Sequence, residues 1–223
     1  MMKLDIQFCI LLKKSVLIGV FCLFISNLTE AHANPVVLVM GDSLSAEYGL
    51  PRGAGWVKLL EEQLRQEASP WIVFNASISG ETTAGGLTRL SALLQQKKPG
   101  ILLIELGAND ALRGLSIDAT EKNLLKMIQL SKNSGARVLL FGMQIPPNYG
   151  QEYTKKFKDL YSRLATQEKI ELLPFFMSGI ASNPDLFQAD NIHPNSKAQP
   201  LLYKNVWGAM APYYVILKNT KVN

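Results

Sequence analysis

A hydroxyl, an imidazole and a carboxylate stand out among the side chains of this sequence that can do chemistry: Ser43, His193 and Asp190. Ser43 closes the stretch Val-Val-Leu-Val-Met-Gly-Asp-Ser over 36–43. A continuous apolar run of this kind reads as a strand buried on both faces whose carboxyl end opens into a tight turn. Gly-Asp-Ser is also ordinary turn chemistry, so the tripeptide alone does not single the serine out. His193 closes Asp190-Asn191-Ile192-His193, with carboxylate and imidazole on one loop. A neutral imidazole takes a proton from a serine hydroxyl when its other nitrogen is held in the right tautomer, and a carboxylate does that holding. The competing assignment makes His193-Pro194-Asn195 the cap of a helix and Asp190 a turn residue.

Attack of a hydroxyl on a carbonyl also needs donors aimed at the oxyanion that forms. Gly80, at the end of Asn-Ala-Ser-Ile-Ser-Gly (75–80), offers an unobstructed N–H. Asn109, in Gly-Ala-Asn-Asp (107–110), offers a side-chain amide. Each has a plainer role as well, since glycine permits a positive φ and asparagine closes turns. Asp42 reads as a turn-stabilising acceptor rather than a base, and Asp110 and Glu105 as partners of loop backbone.

These loops lie far apart in the chain, so a scaffold must bring them together. Apolar residues at helical spacing predict helices over 55–67, 82–97 and 151–167, with a closing helix over 196–213 in which Pro200 fits only near the first turn. Asp118 and Glu121 have the spacing of a capping box, which predicts a further helix running to Ser134 and stopped by Gly135. Strands are predicted at 71–74, 101–106, 137–143 and 170–173, and 175–188 reads as irregular. Strands alternate with helices throughout. That order predicts a three-layer α/β/α fold around a five-stranded parallel sheet in the flavodoxin-like order 2-1-3-4-5. Ser43 then sits beside the topological switch point, at the carboxyl ends of the strands where ligands bind.

Ser43, Gly80, Asn109 and His193, taken together, resemble the GDSL family of esterases and lipases, in particular its SGNH-hydrolase branch. Gly-Asp-Ser-Leu-Ser is similar to the first family block, Ser-Ile-Ser-Gly-Glu-Thr to the second, Gly-Ala-Asn-Asp to the third, and Asp-Asn-Ile-His-Pro-Asn to the last. The blocks stand in family order, and the similarity runs over nearly all of 34–214. Segments 75–82, 105–113, 148–150 and 173–177 resemble the bacterial secreted thioesterase I, arylesterase and lysophospholipase type. The resemblance implies the SGNH-hydrolase fold, with Ser43 as nucleophile, His193 as general base and then acid, and Asp190 orienting His193. It implies an oxyanion hole made by the N–H groups of Ser43 and Gly80 with the Asn109 side chain, and no cofactor. Glu47 departs from relatives that often carry a small residue there, which changes the rim of the cleft without touching a catalytic group. No G-x-S-x-G elbow is present, so the α/β-hydrolase fold is not the reading.

The 223 residues contain no internal repeat or low-complexity block and suit one globular domain. Residues 1–33 stand apart: Lys3, Lys13 and Lys14 lead into an apolar run over 15–25, and Ala31-His32-Ala33 is a small-x-small site. That layout predicts a secretory signal peptide cleaved after Ala33, leaving the domain 34–223 in the periplasm or secreted; an uncleaved anchor is the alternative. Cys9 and Cys22 both lie in the leader, so export into an oxidising compartment is compatible with the sequence without resting on disulfides. One histidine, no cysteine and no spaced carboxylate set in 34–223 offer no metal site. The leader carries one of the five net positive charges. The rest are scattered without interleaved aromatics, which points away from nucleic acid and leaves room for transient contact with anionic lipid.

The segments after the third and fourth predicted strands carry Leu112, Leu115, Ile145, Pro146 and Tyr149. Leu112, Ile145, Pro146 and Tyr149 are the candidate substrate-binding residues, because an apolar groove beside Ser43 favours an acyl chain by about 0.8 kcal/mol per buried methylene. The alternative is that these side chains only pack against helices. Residues 111–116, with Gly114 inside, can also serve as a mobile flap. The expected substrates are small acyl esters and thioesters of medium to long chain, such as acyl-CoA, aryl esters and lysophospholipids, with no obligate protein partner. Two rivals share the residues: a carbohydrate O-deacetylase with the same site, and a non-catalytic envelope-binding module.

Overall fold

The computed structural model describes residues 34–218. Strands and helices alternate as β1 (Val36–Gly41), α1 (Trp56–Gln66), β2 (Ile72–Asn75), α2 (Thr83–Lys97), β3 (Ile101–Glu105), α3 (Ala108–Leu112), α4 (Ile117–Asn133), β4 (Arg137–Phe141), α5 (Gln151–Glu168), β5 (Glu171–Leu173), α6 (Gln199–Ala209) and α7 (Tyr214–Lys218). All strand pairings within the sheet are parallel, and the sheet order is β2-β1-β3-β4-β5, as the alternation predicts.

Every residue of β1 and of β3 is buried. Successive side chains of a strand point to opposite faces, so both faces of the sheet must be covered. Helices α2, α4 and α5 pack side by side on one face, and α1 packs with α6 on the other. Trp56 of α1 meets Phe141 of β4 and Phe176 at centroid distances of 5.7 and 5.6 Å, and the two phenylalanines lie 5.1 Å apart. Each such pair contributes about 0.5–1.5 kcal/mol beyond its buried area.

Helix ends follow local chemistry, with two departures from the sequence reading. Helix α4 is capped by Ser116, whose Oγ accepts the Ala119 N–H at 3.3 Å, so the predicted capping box at Asp118 does not form. Asp118 lies inside the first turn and pairs with Lys156 at 2.7 Å. The stop is as expected: Gly135 takes φ 89°, and the N–H groups of Gly135 and Ala136 return to the carbonyls of Lys132 and Ser131. The predicted closing helix over 196–213 is divided. It starts at Gln199 with Pro200 in its first turn and ends at Ala209, because Pro212 has no N–H and its ring conflicts with the carbonyl four residues back. A 3-10 turn at Ala211–Tyr213 then leads into α7. Helix α3, not foreseen, occupies part of the segment read as a loop. The leader over 1–33 lies outside the described residues, and no helix among those described is long and apolar enough to cross a membrane.

Candidate active site

Strand β1 ends at Gly41, in register with Glu105 of β3. A Cβ at position 41 would lie 2.7 Å from both Glu105 Oε2 and Ser45 Oγ, so the glycine of Gly-Asp-Ser is required by its neighbours. The chain then turns: the Asp42 carbonyl accepts N–H groups from Ser45 and Ala46 at 3.2 and 2.9 Å, and Asp42 Oδ1 accepts the Leu44 N–H at 3.0 Å. Ser43 sits at the apex of this turn, half-buried, with its hydroxyl 2.9 Å from His193 Nε2.

The opposite ring nitrogen, Nδ1, lies 2.6 Å from Asp190 Oδ2. A carboxylate only accepts, so Nδ1 carries the hydrogen and Nε2 presents its lone pair to the serine hydroxyl. Asp190 Oδ1 accepts the N–H groups of Ile192 and His193 at 2.9 and 3.0 Å, an Asx turn that sets the loop, and Asn191 takes φ 57°, which asparagine tolerates. The two backbone N–H donors, foremost that of His193, hold the Asp190 pKa down at about 2. Asn195 secures the base of the loop through its amide, which donates to the carbonyls of Asp185 and Phe187.

Gly80 lies in the turn Ile78–Glu81, closed by the Glu81 N–H on the Ile78 carbonyl at 3.0 Å, with φ 78° at its third residue. A type II turn requires that value, and glycine supplies it. The Ile78 N–H bonds the Gly41 carbonyl at 3.1 Å, which ties this turn to the end of β1. Neither the Ser43 nor the Gly80 N–H meets an acceptor among the described residues. Asn109 is the second residue of α3 and donates from Nδ2 to Asp42 Oδ2 at 3.0 Å. Its helix is anchored by the neighbouring Asp110, which accepts from Thr83 N–H and Oγ1 at 2.9 and 2.5 Å and from Thr120 Oγ1 at 3.4 Å. Asp110 therefore binds side chains of α2 and α4 and the first backbone N–H of α2, rather than loop backbone.

Sequence reasoning treated Asp42 and Glu105 separately, yet they form one buried pair. Glu105 Oε2 accepts the Asp42 N–H at 3.2 Å and the Ser45 hydroxyl at 2.7 Å. Burial pushes both carboxyls up, Asp42 to about 6 and Glu105 well above the ordinary range. The signal was present: a carboxylate ending the otherwise apolar run Ile-Leu-Leu-Ile-Glu. Tyr48 was also missed, and its ring packs at a tilt against His193 with centroids 4.3 Å apart. Gln188 holds that tyrosine by donating to its carbonyl at 2.8 Å. No local pattern marks this contact. Glu47, the departure from family pattern, accepts the N–H groups of Gly53 and Gly55 at 2.9 Å each and so orders the loop beneath the rim.

Of the four candidate substrate-binding residues, Leu112 is half-buried, Pro146 and Tyr149 are exposed, and Ile145 packs into the core. The Tyr149 hydroxyl donates to the Leu112 carbonyl at 3.2 Å, so the two segments touch. Tyr153 ties residues 111–115 further by donating to the carbonyls of Ala111 and Leu115 at 3.2 and 2.8 Å.

Residues 39–200 match the model of the GDSL-like lipase/acylhydrolase family. The chain is 48% identical over 191 residues to esterase TesA of Pseudomonas aeruginosa, covering 86% of this chain and 95% of that one. It is 43% identical over 181 residues to the thioesterase 1/protease 1/lysophospholipase L1 of Escherichia coli, covering 81% and 86% of the two chains. Among solved structures, the esterase EstA of a Pseudoalteromonas species, inhibited by monoethylphosphonate, superimposes with a TM-score of 0.77 at 43% identity, covering 80% of this chain and 97% of that one. On the extent of these matches, and on a serine–histidine–aspartate chain built at the carboxyl end of the sheet, the protein belongs to the GDSL-like lipase/acylhydrolase family.

Proposed function

We propose that the protein hydrolyses small acyl esters and thioesters through an acyl-enzyme on Ser43, with His193 as base and then acid and Asp190 as its orienter. The unbroken chain from Ser43 Oγ to His193 Nε2 at 2.9 Å and from Nδ1 to Asp190 at 2.6 Å carries this reading. His193 takes the hydroxyl proton as Oγ attacks the carbonyl carbon, and the resulting imidazolium is balanced by Asp190, which its N–H donors keep ionised. The oxyanion is received by the N–H groups of Ser43 and Gly80, which have no other acceptor among the described residues, and by the Asn109 amide. His193 then gives its proton to the departing alcohol or thiol, and the same imidazole deprotonates the water that releases the acid. Leu112 and Tyr149, with Pro146 beside them and Ile145 beneath, take the acyl chain. The names of the relatives, esterase and thioesterase, favour this reading over a deacetylase or a binding module.

The leader 1–33 acts as a cleaved signal peptide, so the domain 34–223 works outside the cytoplasmic membrane, where contact with anionic lipid is transient. Mapping the amino terminus of the exported protein to Asn34 tests this, and an intact leader overturns it. For the chemistry, a fluorophosphonate labels the wild type, and Ser43→Ala abolishes labelling and lowers kcat by about a millionfold. Activity on p-nitrophenyl esters rises from acetyl to medium and long chains. An unlabelled wild type, or activity confined to acetyl groups, overturns the reading.

A further inference from the structure

The buried pair beneath Ser43 has four carboxyl oxygens, and three of them receive donors. Asp42 Oδ1 takes the Leu44 N–H and Oδ2 the Asn109 amide, each at 3.0 Å. Glu105 Oε2 takes the Asp42 N–H at 3.2 Å and the Ser45 hydroxyl at 2.7 Å. Glu105 Oε1 is the exception. It is buried and meets no donor among the described residues, on a carboxyl whose other oxygen is bonded to the Asp42 N–H. Two carboxylates side by side out of water repel strongly, whereas a neutral acid next to a carboxylate donates to it. The proton belongs on Glu105 rather than on Asp42, because both Asp42 oxygens are already occupied by N–H groups.

We propose that Glu105 is a positioning residue: as a neutral acid it donates from Oε1 to the Asp42 carboxylate, and so fixes the acceptor that aims the Asn109 amide. The inference rests on the reading of Asn109 as an oxyanion donor. The bare Gly41 leaves the space that the Glu105 carboxyl fills, so the arrangement is built into the first motif of the chain. The other titratable groups facing the pair are Asp110 from α3, His193 from the 190–193 turn and Tyr161 from α5. Asp110 favours retention of a proton on the pair, and His193, when it becomes the imidazolium, favours the charge on Asp42. Tyr161 donates its own hydroxyl to the Leu106 carbonyl at 3.0 Å and is not the missing donor. Desolvation pushes Glu105 in the direction the geometry requires.

Glutamine copies a neutral glutamic acid, with one oxygen to accept and one N–H to donate, while leucine fills the space without either. Glu105→Gln therefore keeps kcat within about fivefold of wild type, whereas Glu105→Leu lowers it by about 100-fold with KM little changed, the size of an oxyanion donor put out of place. Infrared difference spectra of the wild type against Glu105→Gln at about pH 8 show a protonated carboxylic acid, far above the pH at which a free glutamate ionises. A glutamine variant as impaired as the leucine variant overturns the proposal. So does a wild type without the carboxylic acid band, a measurement that does not depend on the leucine variant folding. The band reads the proton whether or not Asn109 serves catalysis. If the band is present and the leucine variant, folded, retains its kcat, the positioning role fails while the serine chemistry stands.

Discussion

Ser43 has carboxyl groups on two sides, and the two sides are built in opposite ways. Asp190 sits on an exposed turn, where N–H groups from Ile192 and His193 join the imidazole and hold its pKa down. Asp42 and Glu105 lie under the strand ends, 1% and 0% exposed, and burial pushes both up. The first environment suits a carboxylate that must stay charged while an imidazolium forms and decays beside it. The second suits an acid whose value is its fixed position, since a neutral carboxyl is far cheaper to bury than an ionised one. One β-turn thus carries the proposed nucleophile between a wet carboxylate suited to electrostatics and a dry pair suited to geometry.

The sharpest test of that contrast is Asp190→Asn against Asp42→Asn. Asparagine at 190 cannot accept from Nδ1 on both faces of its amide, and the wrong tautomer of His193 results. In serine triads that change costs about ten-thousandfold in kcat. The same drop is expected here with KM little moved, measured by steady-state kinetics on a soluble thioester. Asp42→Asn costs no more than a displaced oxyanion donor. Equal losses at the two positions would erase the distinction between them. Asn109→Ala comes next, with a fall of about 100- to 1,000-fold in kcat. A loss of only a few fold would remove the amide from the chemistry and leave the dry pair as scaffold alone.

Stability against pH separates the two sides with opposite signs. The pKa of Asp190 is lowered from 3.8 to about 2, so its charge favours the folded state above 3.8, and that contribution is lost as pH falls towards 2. The pKa of Asp42 is raised from 3.8 to about 6, so the folded state binds a proton the unfolded chain has released, and stability drains as pH rises through that window. Thermal unfolding of Asp190→Asn should be flatter than wild type at the acid end, and that of Asp42→Asn flatter between about pH 4 and 6. Parallel curves for the two variants would show that the carboxylates are not tuned apart.

How far each side could be read in advance follows from its sequence separation. Asp190 and His193 meet within one turn, and Ser43 ends an apolar run, so residue chemistry and alternation sufficed to propose them and the sheet order. The pairing of Asp42 with Glu105 depends on the register of β1 against β3, which spacing along the chain does not encode. The carboxylate at the end of a buried run was the visible trace. Helix α3 was missed because it is too short to show periodicity and is held by Asp110 to Thr83 and Thr120, contacts made after folding. The capping box at Asp118 failed for a local reason: Ser116, two residues earlier, caps the Ala119 N–H and starts the helix there, so Asp118 already lies inside its first turn.

Tyr48 is the residue on which neither local pattern nor alternation bears, and it gives the smallest expected effect. Its ring lies on the imidazole at 4.3 Å while half exposed, and its carbonyl is held by Gln188 from the histidine loop. A tilted aromatic contact of this kind contributes about 0.5–1.5 kcal/mol, partly screened at the surface. Tyr48→Ala should therefore lower kcat/KM by about threefold and widen the spread of His193 ring positions, whereas Tyr48→Phe, which keeps the ring, should match the wild type. Measured with one short-chain and one long-chain ester, an equal loss on both assigns Tyr48 to the wet side of the site, as a brace for the imidazole that Asp190 orients. A loss confined to the long chain would instead make it part of the acyl groove, and the contrast between a charged brace and a dry scaffold would then need a third, apolar wall.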